Sequence, residues 1–170
     1  MIIISLGSNL PSRFGDRFHN IELAISLLEQ SGVKIVKKSS FYETPSYPNK
    51  ENPKFINMII LVETELPPVD LMSVLIFIEE KLERKRYKKN DPRTCDMDII
   101  DFNNKILNFK YKDIDLEIPH KNLEFRNFVL FPLQEICPKW KHPKSKEFVA
   151  TLIQNLTLED RNSILKVKKN

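Results

Sequence analysis

The segment DPRTCDMDIIDF, residues 91–102, decides how this chain is read. Ile99, Ile100 and Phe102 mark it as a strand, yet Asp96 and Asp98 stand in it one residue apart. Side chains on a strand alternate faces with a period of two. The two carboxylates therefore share a face, roughly 6–7 Å apart. At an effective dielectric of about 20 they repel by a few kcal/mol. On that basis, removing either one should leave the ligand-free protein as stable as before or slightly more so. The arrangement calls for a positive partner.

Upstream of this strand, Pro67 and Pro68 open a helix with Leu71, Leu75, Ile78 and Leu82 on one face. It runs out in the basic stretch KLERKRYKKNDPR, residues 81–93. Before it, Phe55 to Val62 is a strongly apolar strand, and Val33 to Tyr42 is a β-branched and aromatic stretch ending at Thr44-Pro45. An earlier helix carries Ile21, Ala24, Ile25 and Leu28 at i, i+3, i+4 and i+7, with Gly32 as its stop. Ile2 to Leu6 is a first short strand, closed by the turn signal Gly7-Ser8-Asn9-Leu10-Pro11. The order is strand, helix, strand, strand, helix, strand. That is an α+β, ferredoxin-like βαββαβ core, an antiparallel sheet with two helices on one face. Beyond it we expect a hairpin around Asn103-Asn104, an irregular passage through Pro119-His120, a helix near Arg126 to Glu135 and a short helix from Phe148 to Leu156. These would cover other parts of the sheet.

The chain has 170 residues, enough for one domain with a real core, so residues 1–170 are taken as a single domain. Hydrophobic residues make up 41% and charged residues 29%, an ordinary globular composition. No apolar run approaches membrane-spanning length, and MIIISLGSNLPSR lacks the features of a signal peptide. Cys95 and Cys137 lie far apart without CxxC spacing, which argues against a disulfide scaffold or zinc site and suits a cytoplasmic protein. The net charge of +4 is compatible with anionic ligands without demanding them.

A cation could hold Asp96 and Asp98 together. Mg²⁺ takes one or two carboxylates plus substrate phosphates and water. Two such ions about 3.5–4 Å apart can clamp a phosphoryl transfer. From the DxD spacing alone, a solvated edge strand is the commoner outcome. The basic stretch shifts that balance, because arginine forks and metal together neutralise a polyphosphate. Alone, those cations could equally be a solvated helix end or a nucleic-acid patch. There is no GxxxxGK[ST] loop. Asn57 interrupts the apolar strand and needs a partner, either a nearby turn or the edge of a flat heterocycle beside Phe55 and Tyr47. His120, with Arg126 nearby, is either a structural histidine or a phosphate neighbour. His19 and His142 read as surface residues.

Five stretches, LGSN, SSFYETP, FINMIILVET, DPRTCDMDI and PHKNLEFRNFVLFPL, occur in one order from about Ile3 to about Leu156. In this the chain resembles the 6-hydroxymethyl-7,8-dihydropterin pyrophosphokinases of folate biosynthesis. The resemblance implies transfer of the β,γ-pyrophosphoryl group of ATP to a pterin alcohol. It implies two Mg²⁺ held by Asp96 and Asp98, with Arg93 on the phosphates, and Arg84 and Arg86 on a loop that closes over the site. Glu79, Ile99, His120 and Arg126 are implied nucleotide contacts. Thr44, Pro45, Phe55, Asn57 and Phe128 are implied to form the pterin pocket, with Tyr47 as a further stacking surface.

The chain departs from the family pattern in several places. Phe55 and Lys121 stand where tyrosine is common, and Cys95 and Met97 where leucine is. The loop between Arg84 and Arg93 is one residue shorter, and Lys89-Asn90-Asp91 lacks the usual aromatic. The lid, Tyr87 to Asp91, is expected to order over bound nucleotide. The expected partners are small molecules, with no nucleic acid and no membrane, and a monomer is expected. A nucleic-acid-binding module and an interaction domain with a decayed site are the rival readings.

Overall fold

The strand that carries the aspartates lies at one edge of the main sheet. This computed structural model describes residues 1–85, 91–111 and 114–169. The central strand β1 (Ile2–Ser8) pairs antiparallel with β4 (Phe55–Glu63) on one side and with β5 (Asp96–Phe102) on the other. On its far side β4 meets two short strands, β2 (Lys34–Lys38) and β3 (Phe41–Thr44). The single strand expected over Val33–Tyr42 is therefore two. Ser39 makes the break: its N–H donates to the Ile59 carbonyl, and its hydroxyl accepts the Ile59 N–H at 3.0 Å. The hydroxyl replaces one rung of the ladder and lets the chain bend.

Helix α1 (Arg17–Gln30) is capped by Asp16, whose side chain accepts the His19 N–H. It stops at Gly32, which adopts a left-handed φ of 82°. Helix α2 (Pro68–Lys81) follows β4. Both pack on one face of the sheet, burying Ile21, Leu28, Leu71, Leu75 and Ile78 against Ile4, Leu6, Ile56 and Ile60. Truncating a fully buried leucine such as Leu75 to alanine would cost about 2–5 kcal/mol. This is the expected βαββαβ core.

The opposite face is covered too. Helices α3 (Asn127–Ile136) and α4 (Val149–Asn155) bury Leu130, Leu133 and Leu152 against Ile3, Ile59 and Ile100. Both were expected within a residue or two of these bounds. A short helix α5 (Leu158–Asn162) was not expected. Asn103 and Asn104 do form a left-handed turn, with φ of 54° and 58°. The hairpin lies further on, pairing β6 (Leu107–Tyr111) with β7 (Ile114–Ile118). The final strand, β8 (Leu165–Val167), extends the main sheet beyond β3. Among the described residues no helix is long and apolar enough to cross a membrane.

His142 is buried, not a surface residue. Its Nδ1 accepts the N–H groups of Lys144 and Ser145, so it closes a turn. Burial pushes its pKa down. Its approach to Glu124 at 3.4 Å is therefore a contact beside a neutral ring and not an ion pair. Trp140, close by, donates from its indole nitrogen to the fully buried Asp101 at 2.6 Å.

Candidate active site

Strand alternation builds this site at one end of the face covered by α3. On β1, Ile2, Ile4 and Leu6 point to the α1/α2 core, so Ser5 and Gly7 point the other way. On β4 the same rule turns Phe55 and Asn57 to that face, and on β5 it turns Asp96 and Asp98. Register then sets them in rows. Gly7 pairs with Asn57 on one side and with Asp96 on the other, and Ser5 pairs with Asp98. Gly7 is a member of this site that the sequence reading passed over. A Cβ there would stand 3.3 Å from Asn57 Oδ1, 3.5 Å from Phe55 Cδ1 and 3.8 Å from the Asp96 Cβ. Glycine within a strand commonly marks such a close approach, and that was the available signal.

Arginines supply positive charge beside the aspartates. Arg84 Nη1 lies 2.8 Å from Asp96 Oδ1, and Arg93 Nη1 lies 3.3 Å from Asp96 Oδ2. Arg126 Nη1 lies 3.4 Å from Asp98 Oδ2. Loss of hydration by burial and then the Asp96 charge push the Asp98 pKa up, with Arg126 and Arg84 opposing. The 43% of its side chain still open to water limits that rise.

Arg84 was expected on a closing loop. It is instead tucked in, with only 10% of its side chain exposed. Behind it lies Glu79, 1% exposed, which holds the Arg84 guanidinium and accepts the Met97 N–H at 2.8 Å. Burial would lower the Arg84 pKa, but Asp96, Glu79 and Asp98 outweigh it and the net shift is upward. Glu79 was expected to face a nucleotide directly. It faces Arg84 and the strand backbone, because a carboxylate this buried needs partners at once. Arg86, and residues 87–90 of the expected lid, lie outside the described residues.

Asn9 was also missed. It is buried, its Oδ1 accepts the Arg93 N–H at 2.6 Å, and its Nδ2 donates to Ser46 Oγ and the Pro53 carbonyl. One side chain thus ties the arginine segment to the loop after β3.

The proposed stacking residues divide. The Arg93 guanidinium carbon is 5.7 Å from the Phe55 ring centroid, and that of Arg126 is 5.6 Å from Phe128. Asn57 donates to Thr44 Oγ1 at 3.0 Å and to the Tyr42 carbonyl at 3.3 Å. Both its N–H bonds are thereby used in the fold, and Oδ1 is the atom beside Gly7. Pro45 follows Thr44, half-buried. Tyr47 does not join them. It is 84% exposed, since the chain turns outward after the buried Ser46.

A cleft of about 570 Å³ opens beside Asp98. Met72, Ile99, Phe109, Leu116 and Ile118 give it an apolar floor, and Asn108, Lys110, Glu117, His120 and Lys121 a polar rim. Ile99 and His120 thus meet where the sequence expected nucleotide contacts, Ile99 mostly as part of the core. His120 Nε2 is 3.0 Å from Arg126 Nη2. Guanidinium cannot accept, and Nδ1 already receives the Asn122 N–H at 3.0 Å, so a neutral ring accepts from only one of these two donors at a time. Burial, Arg126 and Lys121 lower the His120 pKa to about 4. Cys95 lies under the strand, and burial pushes its thiol well above its usual pKa, so it is inert.

Among the described residues no group of three or more acidic, histidine or cysteine side chains converges on a metal position. Two carboxylates on one face nonetheless suit Mg²⁺, which completes its shell from phosphate and water. An apolar cleft, arginines and a carboxylate pair, with an amide and two aromatic rings across Gly7, could hold a polyphosphate against a flat heterocycle.

The family model described as 7,8-dihydro-6-hydroxymethylpterin-pyrophosphokinase (HPPK) matches residues 3–138. The chain is 38% identical over 135 residues to the 2-amino-4-hydroxy-6-hydroxymethyldihydropteridine pyrophosphokinase of Bacillus subtilis, covering 79% of this chain and 76% of that protein. It is 32% identical over 155 residues to the protein of the same name from Synechocystis, covering 91% and 75%. The wild-type HPPK-DHPS of Plasmodium falciparum superposes with a TM-score of 0.71 at 17% identity, which shows the fold alone; it covers 99% of this chain and 47% of that one. The chain belongs to the 7,8-dihydro-6-hydroxymethylpterin-pyrophosphokinase family.

Proposed function

We propose that this chain, acting as one pyrophosphokinase domain, transfers the β,γ-pyrophosphoryl group of ATP to 6-hydroxymethyl-7,8-dihydropterin. The products are AMP and the pterin diphosphate. The observation that carries the proposal is the row Asn57, Gly7, Asp96 across three neighbouring strands. It sets a heterocycle-reading amide and a carboxylate pair on either side of a residue with no side chain.

The base and ribose of ATP take the cleft floored by Met72 and Ile99, with His120 at its rim. Arg93, Arg84 and Arg126 receive the phosphates. Asp96 and Asp98 hold two Mg²⁺, which when bound neutralise phosphate charge and orient the phosphate chain. The pterin lies between Phe55 and Phe128, with Asn57 Oδ1 accepting from its edge and Thr44 and Pro45 closing the pocket. The hydroxymethyl oxygen attacks the β-phosphorus in line, and the bond to AMP breaks. Catalysis is positioning plus charge stabilisation.

A nucleic-acid module fits less well, since α1 and α2 cover one sheet face and α3 and α4 much of the other. A reducing cytoplasm suits the free Cys95 and Cys137. Mass spectrometry of a reaction with ATP, Mg²⁺ and the pterin alcohol tests the proposal. AMP with pterin diphosphate supports it; ADP with a pterin monophosphate, or no turnover, overturns it.

A further inference from the structure

Both oxygens of Asp96 have arginine partners. Arg84 Nη1 sits 2.8 Å from Oδ1, and Arg93 Nη1 sits 3.3 Å from Oδ2. The Arg84 contact is the more protected of the two. Its side chain is 10% exposed, against 18% for Arg93, and Glu79 grips it from behind. Glu79 is in turn fixed through the N–H of Met97, the residue between the two aspartates.

Mg²⁺ binds a carboxylate oxygen at about 2.0–2.1 Å. On Oδ1 of Asp96 it would stand roughly 3–4 Å from the Arg84 nitrogen, as a like charge in a poorly hydrated place. Sharing that oxygen would set two cations this close together, and their repulsion weakens metal binding. We infer that Arg84 is a resident counter-ion for Asp96 that excludes free metal, and that it yields only when nucleotide phosphates arrive to replace Asp96 as its partner. This rests on the reading of Asp96 as a metal ligand. Glu79 would keep Arg84 within reach throughout, so the arginine exchanges one anion for another without crossing open water. Metal thus enters with the polyphosphate. Without nucleotide, Arg84 would then offset the repulsion that the DxD spacing sets up.

The test uses the whole chain and Mn²⁺ as a paramagnetic stand-in, read by electron paramagnetic resonance without nucleotide. Wild-type protein should bind Mn²⁺ weakly. Arg84→Gln should tighten it at least about tenfold, because a like charge leaves the ligand oxygen. Arg84→Lys should stay near wild type, and adding Asp96→Asn to Arg84→Gln should abolish the gain. No gain in Arg84→Gln, while Asp96→Asn still weakens Mn²⁺ binding with nucleotide present, overturns the counter-ion role and leaves the metal reading standing. An Asp96→Asn variant that binds Mn²⁺ and nucleotide normally overturns both. A second measurement needs no variant that must fold. The guanidinium ¹⁵N resonance of Arg84 in wild-type protein should stay fixed in millimolar Mg²⁺ alone and move when a non-hydrolysable ATP analogue is added with it. Movement with Mg²⁺ alone overturns the inference.

Discussion

The side-chain oxygen of Asn9 accepts the main-chain N–H of Arg93 at 2.6 Å, across 84 residues of sequence. The amide end of Asn9 reaches Ser46 and Pro53, so a single buried side chain sets the arginine segment against the loop that follows β3. Truncating Asn9 to alanine strands buried donors and acceptors and should cost about 1–3 kcal/mol of stability in denaturant unfolding. It should also lower kcat, because the Arg93 N–H loses its acceptor, leaving the Arg93 carbonyl held by the N–H groups of Asn9 and Leu10. A double-mutant cycle of Asn9→Ala with Arg93→Ala reads the link, and the loss in kcat should be clearly less than additive. Additive losses would mean that Asn9 does not act through Arg93.

Asp96 and Asp98 should behave differently when removed, although both carry the chemistry. Simple repulsion suggests that losing either leaves the ligand-free protein no weaker. The structure revises this for Asp96, which is bound on both oxygens by Arg84 and Arg93. Asp96→Ala should therefore destabilise by about 1.5–3 kcal/mol, the worth of charge-assisted contacts to a poorly exposed arginine. Asp98 has one longer contact to Arg126 and a raised pKa, so Asp98→Ala should be neutral or slightly stabilising. Turnover should fall by orders of magnitude in both. Thermal melting without nucleotide separates the two, and equal melting shifts would sink the distinction.

Asn57 holds the fold and is proposed to hold the ligand. Its amide hydrogens bond Thr44 and Tyr42, and its oxygen faces the space over Gly7. Asn57→Ala should lower stability by about 1–2 kcal/mol and weaken the pterin far more than ATP. Calorimetry on each ligand separately checks this. Equal losses for both ligands would leave Asn57 a purely structural residue.

Periodicity alone located α1 and α2, because their buried residues recur at helical spacing and their ends carry Gly32 and Pro67. It did not place the break at Ser39, where a hydroxyl replaces a ladder bond within the polar run Lys37-Lys38-Ser39-Ser40. Nor could it find β8, three residues whose only strand credential is their pairing with Phe41, Tyr42 and Glu43. Asp96, Asp98 and Arg93 were legible as a local cluster of charge on one strand end. Gly7 and Asn9 were not, because their roles exist only across strands and loops distant in sequence. Tyr47 was misread because an aromatic near a pocket in sequence says nothing about which way the next turn sends it.

His120 gives the stability a readable pH dependence. Its pKa in the folded chain is about 4, lowered first by burial and then by Arg126 and Lys121, with Glu117 opposing. An unfolded histidine titrates near 6.5. Between those values the unfolded chain takes up a proton that the folded chain refuses, so stability falls as pH drops through that window. His120→Gln removes this contribution while keeping a side chain that can accept from Arg126. Wild type should therefore lose stability relative to His120→Gln as pH is lowered from about 7 to about 4.5. Denaturant unfolding of both proteins at several pH values measures it, and the other buried histidine, His142, is common to both and cancels. The effect is smaller than the full shift implies, because His120 is only half-buried and water screens its neighbours. If the difference between the two proteins stays flat across the window, His120 is not the neutral ring that burial beside Arg126 and Lys121 favours.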